Sequence, residues 1–120
     1  MFWQALASAQ RRTRWLIVNV QDMNEFSSQV LNRDLWKDKS IETLLEAQCV
    51  FWQAARGADD VDRVCALYNF DRLPIIAAID PRTSECIRLW HGADVNANRF
   101  ADDCKFCSVR VLFLFLFYIL

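Results

Sequence analysis

The chain has 120 residues, which is enough for one hydrophobic core but not for two. Hydrophobic residues make up 54% of it, and only two glycines and two prolines occur, which excludes disorder over most of the length. The formal net charge of −1 excludes the strongly basic balance typical of nucleic-acid binding. Five cysteines without a small-scaffold spacing favour a reducing compartment, the nucleus or the cytoplasm, and we expect no secretory signal.

The first part of the chain predicts a helix, a central strand and two further helical segments. Residues 2–12 carry apolar side chains at helical spacing. Residues 15–21 form a continuous β-branched and aliphatic run, as a strand buried on both faces requires. A short helix is expected from about Asn24 to Asn32, and another begins near Lys39.

A second strand and a second amphipathic helix follow. Residues 49–54 are rich in β-branched and aromatic side chains and predict a strand. Residues 61–68 then place apolar side chains at positions i, i+3, i+4 and i+7, which predicts a helix. We expect Asp59 or Asp60 to cap it, because carboxylates accept hydrogen bonds from the first helical N–H groups.

The last predicted elements are a hairpin and a helix. Pro74 stands at the start of an apolar run over residues 75–79, one of the few places where a strand tolerates a missing N–H. Residues 80–83 read as a turn and residues 86–90 as a second strand. A final helix is expected to begin at Asp94.

This order of elements predicts an α/β fold. Strands separated by helices imply a mostly parallel central sheet with helices on both faces, and the two closing strands add an antiparallel hairpin. A helix, an X-Pro step, a buried strand and a hairpin resemble the second half of a thioredoxin-like sandwich. We expect one domain over residues 1–103 and a separate apolar tail over residues 104–120.

Five stretches within residues 2–103 carry a family likeness: residues 15–22, 25–36, 51–53, 74–83 and 90–91. They resemble the UAS domain of UBX-domain adaptor proteins. The resemblance implies a non-catalytic thioredoxin-like module that lies between a ubiquitin-binding UBA domain and a UBX domain. In that family the UBX domain docks on the AAA unfoldase valosin-containing protein and links ubiquitylated proteins to proteasomal degradation. Neither of those two domains is recognised in this sequence, so such partners are family context.

The resemblance also directs attention to the site where thioredoxins carry their reactive cysteine. That cysteine stands at the N-terminus of the helix after the first central strand, where the helix dipole lowers the thiol pKa. Residues 24–30 contain no cysteine, and a serine cannot form the mixed disulfide of thiol exchange. Because the thioredoxin proline borders a peptide groove, the resemblance implies a vestigial groove lined by Phe26, Ser27, Ser28 and Pro74. The alternative is that Phe26 packs in the core and Pro74 only constrains a strand start.

The sequence predicts no enzyme, no cofactor and no metal site. Cys104 and Cys107 form a Cys-x-x-Cys pair, but no second ligand pair accompanies it, and His91 alone cannot complete a tetrahedral site. A lone histidine at a strand end is usually structural. A thioredoxin-like redox enzyme is the least favoured alternative. A fatty-acid-responsive module is another, because some UAS domains bind unsaturated fatty acids.

The tail that begins at Val111 and ends at Leu120 is apolar throughout. A membrane-spanning helix needs about 20 apolar residues, so a short membrane anchor is a weak alternative. High β-propensity without charge or proline makes the segment prone to aggregation if exposed. We interpret the residues from about 104 onward as the product of a truncated transcript or gene model.

Overall fold

The computed structural model describes residues 1–92 and 95–105, in which helices and strands alternate as predicted. A π-helical turn (Leu31–Leu35) continues the short second helix directly. The strands are β1 (Trp15–Gln21), β2 (Cys49–Ala55), β3 (Ile75–Ile79) and β4 (Cys86–His91). The α-helices are α1 (Phe2–Arg12), α2 (Phe26–Val30), α3 (Lys39–Gln48), α4 (Val61–Tyr68) and α5 (residues 97–105).

The four strands form one mixed sheet in the order β2-β1-β3-β4. β1 and β2 are parallel, whereas β3 runs antiparallel to both β1 and β4. The α/β sandwich with a C-terminal antiparallel hairpin is therefore as expected. The sheet within it is mixed rather than mostly parallel.

The direction of β3 follows from the path of the chain through α4. Ile75 at the start of β3 pairs with Val20 near the end of β1. β2, which is parallel to β1, also ends on this side of the sheet. The eight residues of α4 advance the chain by about 12 Å, which is about half the length of the seven-residue β2. After α4 the chain therefore returns to the side of the sheet where β2 ended, and β3 starts there. A helix between two strands favours a parallel crossover, as found between β1 and β2, but α4 leads into an antiparallel strand.

All seven residues of β1 are buried, because helices cover both faces of the sheet. Successive side chains of a strand point to opposite faces, so β1 contributes to two cores. The first-face core packs the π-helical turn, α3 and α5 against the sheet, and the second-face core packs α1 and α4. Large members of the first-face core are Trp15, Ile17, Leu31, Leu35, Ile41, Ile76, Trp90 and Phe100. Those of the second-face core are Phe2, Leu16, Val18, Val20, Val61, Ile75 and Ile79.

Two helix starts differ from the sequence prediction. Asp60 occupies the N-cap position of α4, but its side chain makes no capping hydrogen bond. Its Oδ2 instead accepts the N–H of Phe2 at 3.3 Å, so the carboxylate joins α4 to the start of α1. At α5, Oδ1 of Asn96 accepts the N–H of Arg99 at 2.9 Å. The predicted cap, Asp94, lies outside the described residues.

The C-terminal helix extends the domain slightly beyond the predicted boundary at residue 103. Cys104, assigned from the sequence to the tail, is 3% exposed and belongs to the first-face core. The rest of the tail, from residue 106 onward, lies outside the described residues. None of the helices within the described part of the chain is long and apolar enough to cross a membrane.

Gly92 allows the end of β4 to pack closely against Pro74. Its N–H donates to the Pro74 carbonyl oxygen at 3.2 Å. A Cβ at position 92 would lie 2.6 Å from Pro74 Cγ and 3.0 Å from Leu31 Cδ1.

We therefore expect Gly92→Ala to lower the free energy of unfolding by about 1–3 kcal/mol, because an overpacked site forces its neighbours to move. Urea unfolding measures this loss, and an unchanged midpoint would contradict it.

Candidate functional site

The loop between β1 and α2 leads directly into the predicted site, and Asp22 organises this loop. Its Oδ1 accepts the N–H of Asn24 at 3.0 Å, and its carbonyl oxygen accepts the N–H of Glu25 at 2.9 Å. The N–H of Asp22 donates to Ser28 Oγ at 3.3 Å. Its carboxylate lies 3.7 Å from Nε of Arg56. The loop is therefore tied both to α2 and to the turn after β2.

Two large apolar side chains of this loop and of the start of α2 are exposed. Met23 is 51% exposed and Phe26, the first residue of α2, is 71% exposed. We call this pair the loop surface. The alternative interpretation that Phe26 packs in the core is therefore wrong. Exposed apolar side chains grouped at one place are typical of interaction surfaces.

The four residues of the predicted groove differ in accessibility. Phe26 is exposed and Ser27 is partly buried, whereas Ser28 and Pro74 are buried. Ser28 is fully buried, and its hydroxyl accepts a backbone hydrogen bond, so it offers no surface to a ligand. Pro74 follows a cis peptide bond and packs against Gly92. The accessible part of the predicted groove is thus formed by Phe26 and Ser27, and partner binding there stays a prediction.

A group of amide side chains, buried at its β1 members and more exposed towards β2, lies at the end of β1 from which this loop departs. We call Asn19, Gln21, Asn32 and Gln53 the amide cluster. Asn19 Oδ1 accepts hydrogen bonds from Gln21 Nε2 at 2.7 Å and from Gln53 Nε2 at 2.9 Å. Gln21 and Asn32 exchange two hydrogen bonds, at 2.9 and 3.1 Å. Gln53 Nε2 also donates to Asn32 Oδ1 at 3.0 Å. The cluster therefore joins β1, β2 and the π-helical turn.

Asn19 extends this network to two further parts of the fold. Its Nδ2 donates at 2.9 Å to the carbonyl oxygen of Ile75, the residue that follows Pro74. Its Oδ1 also accepts the indole N–H of Trp36 at 3.0 Å. The sequence prediction missed the cluster. A usable signal was present, because Asn19 and Gln21 interrupt an aliphatic strand at alternate positions, and a polar side chain in a buried strand needs a partner.

Two of the described thiols, Cys65 and Cys86, lack the lowered pKa of a redox nucleophile. Burial raises the pKa of Cys65, and the negative charge of Asp62 raises it further. Burial also raises the pKa of Cys86. A redox nucleophile needs the opposite, a lowered pKa that makes thiolate available at neutral pH.

The other groups that the sequence singled out are a metal site, His91 and the Cys-x-x-Cys pair. Among residues 1–92 and 95–105, no three His, Cys, Asp or Glu side chains form a group that could hold a metal ion. His91 ends β4, and its Nδ1 is buried without a hydrogen-bond partner in that part of the chain. Cys104 is in the core, and Cys107 lies outside the described residues.

Comparisons with known proteins bear on the fold. A family model described as thioredoxin-like matches residues 2–81. The chain belongs to the thioredoxin-like family. A thioredoxin from Thermus thermophilus superposes with a TM-score of 0.80 at 20% identity, covering 92% of this chain and 85% of that one. A DsbH oxidoreductase superposes with a TM-score of 0.73 at 8% identity, covering 87% and 78%. At these identities the likeness concerns the fold, and the predicted fold class is confirmed.

Similar sequences are found among UBX domain-containing proteins. Plant UBX domain-containing protein 7 of Arabidopsis thaliana is 35% identical over 105 residues, covering 88% of this chain and 22% of that protein. UBX domain-containing protein 2 of Schizosaccharomyces pombe is 37% identical over 107 residues, covering 84% and 25%. The resemblance to UBX-domain proteins that the sequence predicted is thus confirmed. The chain spans about a quarter or less of the length of these relatives.

We expect replacement of Asn19 to destabilise the domain strongly. Asn19→Leu would leave the Trp36 indole N–H without its acceptor. It would also remove the hydrogen bonds that Asn19 makes to the Ile75 carbonyl oxygen and to the Gln21 and Gln53 amides. Each buried polar group that loses its partner costs about 1–3 kcal/mol, so a loss of about 3 kcal/mol in the free energy of unfolding is expected. Asn24→Leu in the exposed loop is the control and should change stability by less than about 0.5 kcal/mol. Urea unfolding compares the two, and equal losses would contradict a structural role for the cluster.

The raised thiol pKa values predict slow chemistry at neutral pH. A thiol with a raised pKa carries less thiolate at pH 7 and gains reactivity only as the pH rises towards that pKa. Iodoacetamide should therefore alkylate Cys65 and Cys86 of the folded protein more slowly than glutathione at pH 7. Peptide mass spectrometry over a pH series measures both rates. A thiol that outpaces glutathione at pH 7 would contradict the interpretation.

Proposed function

We propose that this chain is a non-catalytic protein-interaction module that helps to connect ubiquitylated proteins with the AAA unfoldase valosin-containing protein for degradation. One observation carries the proposal. The exposed loop surface, Met23 and Phe26, stands at the start of α2, where a thioredoxin-type enzyme needs its reactive cysteine. An apolar surface supports protein contact, whereas thiol exchange requires a thiolate.

Two further observations support a binding role over a catalytic one. Residues 24–30 contain no cysteine, and the partly exposed thiols elsewhere have raised pKa values. The relatives found among curated proteins carry the name of the UBX domain, whereas the oxidoreductases are similar at 20% identity or less. The fold is thus shared with redox enzymes, and the chemistry at the start of α2 is not.

The proposal also concerns location and partners. An odd number of cysteines favours a reducing compartment, so we expect the protein in the nucleus, the cytoplasm or both. The expected partners are proteins of the ubiquitin and valosin-containing protein pathway. The amide cluster holds the end of β1 in place, so the loop surface is presented from a fixed strand end rather than from a long flexible segment.

Affinity capture from cell extract tests the proposal. The chain should retain ubiquitin conjugates through the loop surface and valosin-containing protein through those conjugates, and Phe26→Ser should reduce both by about tenfold, the effect of losing one apolar anchor. Leu67→Ser is the matched control, because Leu67 is 55% exposed on α4, away from the loop. Immunoblots for both partners give the readout. Equal capture by the two variants, or none by the unmodified chain, would overturn the proposal.

An insulin-reduction assay tests the non-catalytic part separately. With dithiothreitol as the reductant, the chain should not accelerate insulin precipitation beyond the reductant alone. Acceleration that is lost on alkylation of the cysteines would show thiol exchange and would contradict the proposal.

A further inference from the structure

The outer edge of β2 lacks the features with which natural sheets protect their edges. The strand order makes β2 and β4 the edge strands of the sheet formed by the described residues. The seven residues of β2 include no charge and no proline, and their register with β1 is regular throughout. Charged side chains, prolines and bulges are the usual means of preventing another strand from adding to an edge. β2 is therefore open to strand addition.

The other edge of the sheet is protected. β4 contains Arg88, whose guanidinium lies 2.8 Å from a carboxylate oxygen of Asp103 on α5. The pairing of β4 with β3 is also shifted between Ala78 and Ile79. A charge and an irregular register both disfavour further pairing. The two edges of one sheet thus differ, and the difference singles out β2.

The backbone of β2 presents a definite set of hydrogen-bonding groups to this edge. The N–H of Arg56, directly after β2, donates to the carbonyl oxygen of Gln21 at 2.7 Å. Backbone groups alternate in direction along a strand, so positions 50, 52 and 54 also face β1. Phe51 and Gln53 then direct their N–H and C=O groups outward. No strand within residues 1–92 and 95–105 pairs with those groups.

We propose that β2 pairs antiparallel with β2 of a second copy of this chain, about a two-fold axis at Trp52. In this register Phe51 of each copy lies opposite Gln53 of the other. Each such pair exchanges two hydrogen bonds, so all the outward N–H and C=O groups of Phe51 and Gln53 find partners. Both copies use the same surface, as a closed two-fold dimer requires. The result is a continuous sheet through two domains.

The side chains of β2 suit this register. Phe51 is 36% exposed and contacts Trp36 with ring centroids 4.7 Å apart. Pairing would cover Phe51 with the Gln53 side chain of the second copy. On the other face, Trp52 is half-buried, with its ring centroid 5.3 Å from that of Phe2. The two Trp52 side chains would lie opposite each other at the axis, and cross-strand aromatic pairs stabilise sheets.

The charges at the two ends of β2 favour an antiparallel pair. Arg12 and Arg14 lie near the start of the strand, together with Glu42 and Glu46. Three acidic side chains within residues 59–62 follow its end, where Arg56 is already paired with Asp22. A parallel pair would place these acidic ends side by side, which is unfavourable. An antiparallel pair instead places the acidic end of each copy beside the start of the other, where basic and acidic side chains are both present.

Sedimentation velocity of the full chain over a concentration series tests the dimer. The unmodified chain should form dimers, and Phe51→Lys should raise the dissociation constant by at least about tenfold, because a charge is placed on the edge of each copy next to the axis. Leu89→Lys is the matched control, since Leu89 is 43% exposed on the other edge strand. Both variants keep the tail, so association through the tail would persist in both. Circular dichroism checks that both variants are folded.

Disulfide trapping tests the register independently. Position 50 of one copy should lie opposite position 54 of the other in a pair that exchanges no backbone hydrogen bonds, where Cα atoms are about 4.5 Å apart. That separation permits a disulfide. A mixture of Val50→Cys and Ala54→Cys should therefore form linked dimers faster than either variant alone or the unmodified chain, whose native cysteines give the background. A monomeric unmodified chain, equal dissociation constants for the two lysine variants, or no excess of linked dimer in the mixture would each overturn the proposal. If a peptide or the tail of the same chain covers this edge instead, the unmodified chain should be monomeric.

Discussion

The complete burial of β1 is the constraint on which the rest of the structure depends. A strand buried on both faces needs helices on both sides and neighbouring strands along both edges. The chain meets the first need with α1 and α4 on one face and with α3, α5 and the π-helical turn on the other. It meets the second with β2 and β3. The sandwich is thus the arrangement in which a seven-residue run of buried side chains loses all contact with water.

The same burial explains why the end of β1 is held by amides. Asn19 and Gln21 are 0% and 3% exposed, and a buried polar group without a partner is costly. Their hydrogen bonds reach β2, the π-helical turn and the carbonyl oxygen after Pro74, none of which is adjacent in sequence. Satisfying these side chains therefore fixes the relative positions of the elements around the candidate site. The exposed Phe26 therefore projects from a part of the fold that these hydrogen bonds hold in place.

The sequence predicted those features that depend on local pattern. The buried run of β1, the helical spacing of α4 and the turn after Ile79 each lie within a few neighbouring residues, so periodicity and turn residues were sufficient. The direction of β3 was missed because an apolar run is the same in both directions. Phe26 was ambiguous because α2 has only five residues, too few for the spacing of apolar side chains to define a buried face. The bond between Asn19 and Gln53 depends on strand register, which is a property of the folded chain.

The separation between scaffold and surface explains how a thioredoxin-like fold can serve without thiol chemistry. Folding depends on β1, on its two cores and on the amide cluster, and none of these includes the start of α2. A cysteine there is therefore dispensable for stability, and an apolar residue such as Phe26 can occupy the position without disturbing the core. Catalysis, by contrast, needs a thiolate at that one position, where the helix dipole acts. Function resides in the site rather than in the fold. Among the described residues, the two proposals made for this chain use exposed apolar side chains at the β1–α2 loop and outward backbone groups along β2, and both concern protein contact.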